Sequence, residues 1–263
     1  MTGESTLTGS TYDISRLETL VFSGGDGAPL FLLHGEDYFA PDDTFIRLLS
    51  QHRRVIVPSH PGFGPSVLPD WIDNVEDIAH LYIALLDRLD LREVDVVGCS
   101  IGGWIAAEMA TRSLDLIRKL ALVGPVGVKT GPIDRLDVPD IFAMSQQKLD
   151  GLLYHDPSSA RIDPATMTDE QLATLARNRE TLALLTWEPY MHNTKLRHRL
   201  ANSKCPALLL RGESDGLISA EYLAAYAGLF PDARTLTIPQ AGHLPHREQP
   251  ERLASAILAF LEN

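Results

Sequence analysis

The chain has 263 residues, 44% hydrophobic and 22% charged, a balance that belongs to a folded globular protein and excludes a disordered or fibrous one. Lys and Arg total 23 against 35 Asp and Glu, a formal net charge of −12. No basic stripe offsets it, so neither nucleic acid nor an anionic membrane is an expected partner.

Residues 1–20 are polar and lack the apolar stretch of a signal peptide. No run of about 18 apolar residues follows, and the cytoplasm is the expected location. The two cysteines, Cys99 and Cys205, are too few for a disulfide framework in a chain this long and read as reduced core thiols. The first dozen residues, rich in Ser, Thr and Gly, are expected to form a frayed arm.

From residue 30 short apolar runs alternate with helical patterns. Residues 30–33 precede His34-Gly35, and residues 55–57 stop at Pro58. Residues 94–97, 120–123 and 207–210 follow, then an extended run over 234–238. Runs rich in Val, Ile and Leu, closed by Gly or Pro, suit strands buried on both faces. Between them Asn74 can cap a helix with Asp77 three residues on, and Val75, Ile78, Tyr82, Leu85, Leu86 and Leu89 recur at helical spacing. Residues 101–111 predict a second helix. Residues 250–261 predict a third, opened by Pro250. This alternation predicts an α/β fold with a mostly parallel central sheet and helices on both faces.

Residues 126–204 break the rhythm. Helices are predicted over 145–154 and over 168–187, the second opened by Thr168 and Gln171 at capping-box spacing. So long a helical insertion is more than a loop. It is expected to cap a core domain made of residues 1–125 and 205–263. Its apolar residues Ile141, Phe142, Met144, Leu152, Leu153, Tyr154, Trp187, Tyr190 and Met191 are expected to face the core or a pocket.

The chemistry concentrates at Gly98-Cys99-Ser100-Ile101-Gly102. G-x-S-x-G between a strand and a helix is a nucleophile elbow: the chain doubles back, so the flanking glycines must lack side chains, and the helix N-terminus faces developing negative charge. A serine hydroxyl needs a base. Asp215 follows the run 207–210, and His243 follows the run 234–238. In a parallel sheet such strand ends share one edge, where ligands bind. Ser100 as nucleophile, His243 as base and Asp215 as its orienting acid should therefore converge. Glu213 is the rival acid in the same loop. His34 and His246 read as structural, Trp104 as a core residue, and Asp95 as badly placed for a triad. No spacing suggests a metal site or a phosphate loop, so no cofactor is expected.

Five ordered segments carry a resemblance: Phe31-Leu32-Leu33-His34-Gly35, His60-Pro61-Gly62-Phe63-Gly64-Pro65-Ser66, the elbow through Gly103, Gly212 through Asp215, and Gly242-His243. Together they resemble the α/β-hydrolase fold superfamily from about residue 30 onward, the insertion excepted. One departure is His60, where many relatives carry Asp. The resemblance implies an oxyanion hole made by the backbone N–H groups of Ile101 and Glu36. The carboxylates of Glu36 and Asp37 beside that hole would oppose an oxyanion unless they point away or into polar contacts. The expected activity is hydrolysis of a small, largely apolar ester or lactone, with a small molecule as the expected partner. The resemblance also leaves open carbon–carbon hydrolysis of diketone-type ring-cleavage products, a cofactor-free haloperoxidase-like activity, and a non-catalytic small-molecule receptor.

Overall fold

The computed structural model describes residues 7–40, 42–160 and 164–262. Its strands are β1 (Thr8–Ile14), β2 (Leu17–Gly24), β3 (Pro29–Leu33), β4 (Arg54–Pro58), β5 (Val94–Cys99), β6 (Ile117–Val123), β7 (Ala207–Gly212) and β8 (Ala233–Ile238). They form one eight-stranded sheet in the order β1-β2-β4-β3-β5-β6-β7-β8. Strands β3 to β8 run parallel, β2 lies antiparallel to β4, and β1 lies antiparallel to β2.

The leading hairpin corrects the expected frayed arm. Residues 8–14 pair in unbroken register with β2, from Thr8 opposite Ser23 to Ile14 opposite Leu17. The composition misleads because β1 is an edge strand: of its residues only Ile14 is buried, so its sequence carries almost no apolar pattern. Residues 1–6, the rest of that expected arm, lie outside the described residues.

The helices are α1 (Thr44–Ser50), α2 (Val75–Arg88), α3 (Ile101–Arg112), α4 (Gln146–Leu153), α5 (Pro157–Ala160), α6 (Asp169–Thr186), α7 (Leu196–Arg199), α8 (Ala220–Ala227), α9 (Pro245–Glu248) and α10 (Pro250–Glu262). Alternate residues of each strand point to opposite faces. Phe31 and Leu33 join the core beneath α2, α3 and α8, while Leu30 and Leu32 join the core beneath α1 and α10. The predicted caps form as their chemistry dictates. Asn74 Oδ1 accepts the Asp77 N–H at 3.0 Å, and Thr168 and Gln171 close a reciprocal capping box.

Between β6 and β7 the chain leaves the sheet and runs through α4, α5, α6 and α7. This stretch binds back onto loops at the C-terminal ends of the strands. Gly64 N–H donates to Asn178 Oδ1 at 2.9 Å, and Thr181 Oγ–H donates to the Gly62 carbonyl at 2.9 Å. Ile141, Tyr154 and Met191 are buried, as their apolar character predicts. Trp187 departs from that expectation and is 56% exposed. It stands against the rings of Phe142 and Tyr190 at centroid distances of 5.9 and 6.4 Å, at the C-cap of α6, just past the buried Leu185 and Thr186.

Cys99 and Cys205 are free and buried. Among the described residues no helix is long and apolar enough to cross a membrane. Leu209, fully buried in β7, tests how tightly this core is packed. Leu209→Ala is expected to cost about 2–5 kcal/mol through lost burial and a residual cavity. Urea unfolding would show an unmoved midpoint if the core were loose enough to collapse around the gap.

Candidate active site

Ser100 occupies the turn between β5 and α3 with φ 51° and ψ −115°, a conformation an L residue adopts at a cost of about 1–3 kcal/mol. The surrounding glycines make the turn possible. A Cβ on Gly98 would lie 2.3 Å from the Gly102 carbonyl oxygen, and a Cβ on Gly102 would lie 2.4 Å from the carbonyl oxygens of Leu33 and His34. The elbow is thus pressed against the end of β3.

The loops after β7 and β8 touch backbone to backbone, since a Cβ on Gly212 would meet the Gly242 carbonyl oxygen at 2.0 Å. That contact brings the Asp215 and His243 side chains together. Ser100 Oγ–H donates to His243 Nε2 at 3.0 Å. His243 Nδ1–H donates to Asp215, 3.0 Å from Oδ2 and 3.2 Å from Oδ1. The tautomer follows from chemistry, because an ionised carboxylate can only accept. Asp215 Oδ1 also accepts the N–H groups of Leu217 and Ile218, each at 2.9 Å, which fixes the carboxylate plane. Gly124 lies under the imidazole, where a Cβ would stand 2.9 Å from His243 Cε1.

Helix α4 ends against both loops. Its terminal carbonyls have no helical partner; Leu152 O accepts the Gly216 N–H at 3.0 Å and Leu153 O accepts the His243 N–H at 2.7 Å. The Glu248 carboxylate accepts N–H groups from Gly242 at 2.6 Å, His155 at 2.8 Å and Asp156 at 2.9 Å. Sequence reasoning passed over Glu248, Asn178 and Arg179. Each acts across more than 80 residues or through backbone groups, and local patterns do not register that.

The Ile101 N–H lies at the first turn of α3, and the Glu36 N–H lies just past β3. Neither has a backbone acceptor among the described residues. The two neighbouring carboxylates pair with side chains, except that Asp37 Oδ1 is buried without a hydrogen-bond partner among the described residues, 3.0 Å from where a Cβ on Gly35 would be. Glu36 Oε1 lies 3.5 Å from Arg179 Nη1; burial pushes its carboxyl up, and Arg179 offsets part of that. Asp37 Oδ2 accepts from His246 Nε2 at 2.7 Å and from Arg247 Nε at 3.0 Å. Burial pushes the Asp37 carboxyl up, but the neighbouring His246 and Arg247 outweigh it and hold the group well below the usual carboxylate range.

The other candidates lie outside the line from Ser100 to Asp215. Glu213 is exposed and accepts the Gln240 N–H at 3.2 Å. Asp95 pairs with Arg53 and Arg118. Trp104 is buried and donates to Glu108. Among the described residues no cluster of His, Cys, Asp or Glu could hold a metal ion.

A sequence model of the alpha/beta hydrolase family matches residues 30–256. The chain belongs to the α/β-hydrolase family. Among its curated relatives is a dihydrolipoyllysine-residue acetyltransferase component of an acetoin cleaving system from Pseudomonas putida, 26% identical over 250 residues, 90% of this chain and 64% of that protein. Another is a 2-hydroxy-6-oxo-2,4-heptadienoate hydrolase from Pseudomonas putida F1, 40% identical over 127 residues, 46% of each chain. The matches thus span less than two thirds of these relatives' own lengths. Among solved structures, a bacterial membrane phospholipase A superposes with a TM-score of 0.82 at 25% identity, over 99% of this chain and 87% of its own. The chain's curated relatives also include a pimeloyl-[acyl-carrier protein] methyl ester esterase from Vibrio cholerae, 28% identical over 90% of this chain and 95% of that protein.

The His243 environment generates a titration prediction. Burial lowers the imidazole pKa, but the Asp215 charge and hydrogen bond more than reverse that, and the net shift is upward. His243 is therefore expected to bind its second proton above the ordinary histidine range. Asp215→Asn removes the raising charge, so the midpoint should fall. Proton–nitrogen NMR of the imidazole through a pH series reads both values, and a midpoint that stays put in the variant would contradict the assignment.

Proposed function

We propose that this α/β-hydrolase is a serine hydrolase cleaving a small, largely apolar ester or lactone through an acyl-enzyme. The hydrogen-bonded line from Ser100 through His243 to Asp215 carries this reading. His243 removes the Ser100 proton as Oγ attacks the substrate carbonyl, and Asp215 stabilises the imidazolium that forms. The N–H groups of Ile101 and Glu36 receive the oxyanion, each donor contributing about 3 kcal/mol. His243 then protonates the leaving group, and water, deprotonated by the same imidazole, releases the acid.

In this reading residues 1–125 and 205–263 form the catalytic core and residues 126–204 its cap. The contacts of α4 and α6 with the strand-end loops support that division. The pairing of Glu36 with Arg179 and of Asp37 Oδ2 with His246 and Arg247 offsets part of the negative charge beside the hole. A second reading, carbon–carbon hydrolysis of a vinylogous diketone, is favoured by the relative named a 2-hydroxy-6-oxo-2,4-heptadienoate hydrolase.

Ser100→Ala should abolish turnover of p-nitrophenyl acetate and butyrate, and a variant that still turns over would remove Ser100 from the mechanism. Asp215→Asn should lower kcat by roughly 10⁴, the loss expected when the imidazole is left in the wrong tautomer. A near-normal rate would point to another acid. Turnover of dienoate diketones faster than esters would select the second reading. Rapid fluorophosphonate labelling without turnover of any substrate class would select a binding role instead.

A further inference from the structure

His60 stands where the resembling family commonly carries Asp, and the proposed mechanism leaves it unused. It is fully buried, as are His34 and Tyr82, and its ring stacks on His34 with centroids 3.7 Å apart. The donors and acceptors around the two rings admit one consistent set of protons. His34 Nδ1 faces the Gly35 carbonyl oxygen at 2.6 Å, so Nδ1 carries the hydrogen. His34 Nε2 is then the acceptor, and it accepts the His60 backbone N–H at 3.0 Å. His60 Nε2 faces the His34 carbonyl oxygen at 3.0 Å and donates to it. His60 Nδ1 accepts from the Tyr82 hydroxyl at 2.6 Å. Burial pushes His34 down to about 4 and His60 well below its usual value, which keeps both rings neutral near pH 7.

The end of this chain is the Gly35–Glu36 peptide. In a trans peptide the C=O and the following N–H point in opposite directions. Holding the Gly35 carbonyl against His34 therefore aims the Glu36 N–H the other way. The same His34 carbonyl that His60 grips sits against the elbow, 2.4 Å from where a Cβ on Gly102 would be. We propose that His60 is a positioning residue that, through the tautomer and placement of His34, sets the direction of the Glu36 N–H relative to Ser100. The inference rests on the reading of Glu36 N–H as an oxyanion donor.

The test compares Ser100→Ala, His60→Leu, His60→Gln and Tyr82→Phe with the unaltered enzyme on p-nitrophenyl butyrate, with an alkyl trifluoromethyl ketone as a tetrahedral-intermediate analogue. Losing an oxyanion donor outright costs about 10²–10³ in kcat, so misdirecting one in His60→Leu should cost about 10–100-fold. KM should stay within about twofold, ketone affinity should fall in step with kcat/KM, and the pH midpoint of kcat/KM should not move. His60→Gln should recover most of the rate, because its terminal amide can donate to the His34 carbonyl where Nε2 did. An unchanged kcat in His60→Leu, a loss of rate without loss of ketone affinity, or a Gln variant no better than Leu would overturn the proposal. If His60→Leu fails to fold, Tyr82→Phe decides: it removes only the hydroxyl on His60 Nδ1, and a kcat equal to the unaltered enzyme's would count against it. A Ser100→Ala enzyme that keeps its activity would defeat the serine-hydrolase reading itself; an inactive Ser100→Ala beside a fully active His60→Leu would defeat this inference alone.

Discussion

An imidazole can take a proton from a hydroxyl while leaning on a carboxylate only if all three groups are held at hydrogen-bond distance along one line. Here that line is carried by three loops far apart in the chain, and the parallel sheet makes their meeting geometrically cheap. Strands β5, β7 and β8 all end at one edge, so the residues that follow them emerge side by side. The closest constraint is steric: Gly212 lets the end of β7 touch the backbone at Ala241 and Gly242, and Gly242 lets the His243 loop touch the backbone of Leu153 at the end of α4. Gly124 completes the arrangement by leaving room for the imidazole itself.

The helical stretch between β6 and β7 is wired into this edge through backbone groups as much as through apolar packing. The last carbonyls of α4 would otherwise be orphaned. They are satisfied by N–H groups from the Asp215 and His243 loops. On the other side of the site, Asn178 of α6 holds the Glu36 carbonyl at 3.1 Å and the Gly64 N–H at 2.9 Å. A movement of this stretch would therefore disturb the hydroxyl–imidazole–carboxylate line and the Glu36 peptide together.

Charge is distributed with the same economy. Four carboxylates, those of Glu36, Asp37, Asp215 and Glu248, sit on the loops that carry the site, in a protein of net charge −12. Each has a committed donor set: Arg179 for Glu36, His246 and Arg247 for Asp37, the imidazole and two N–H groups for Asp215, and three N–H groups for Glu248. Among the described residues, only the Asp215 carboxylate is hydrogen-bonded directly to the His243 imidazole. Most of their oxygens are held by fixed donors; an exception is Asp37 Oδ1, which is buried without a hydrogen-bond partner among the described residues.

The amino-acid sequence alone determined the alternation of buried strands and helices, the strand–turn–helix around Ser100, the caps at Asn74 and Thr168, and the strand-end positions of Asp215 and His243. These are set by local periodicity, by backbone freedom at glycine and by short-range hydrogen bonding, all of which act within a few residues. It did not reveal the hairpin of β1 and β2, because an edge strand that buries one side chain has no apolar signature. It also left Trp187 misplaced, because which face of a helix end meets the sheet depends on how that helix docks. Only the tertiary structure decided where Glu36 and Asp37 point, what Glu248 and Asn178 hold, and how His60 grips His34. Those outcomes depend on partners dozens of residues away, or on backbone donors that every residue shares, and no spacing in the chain encodes them.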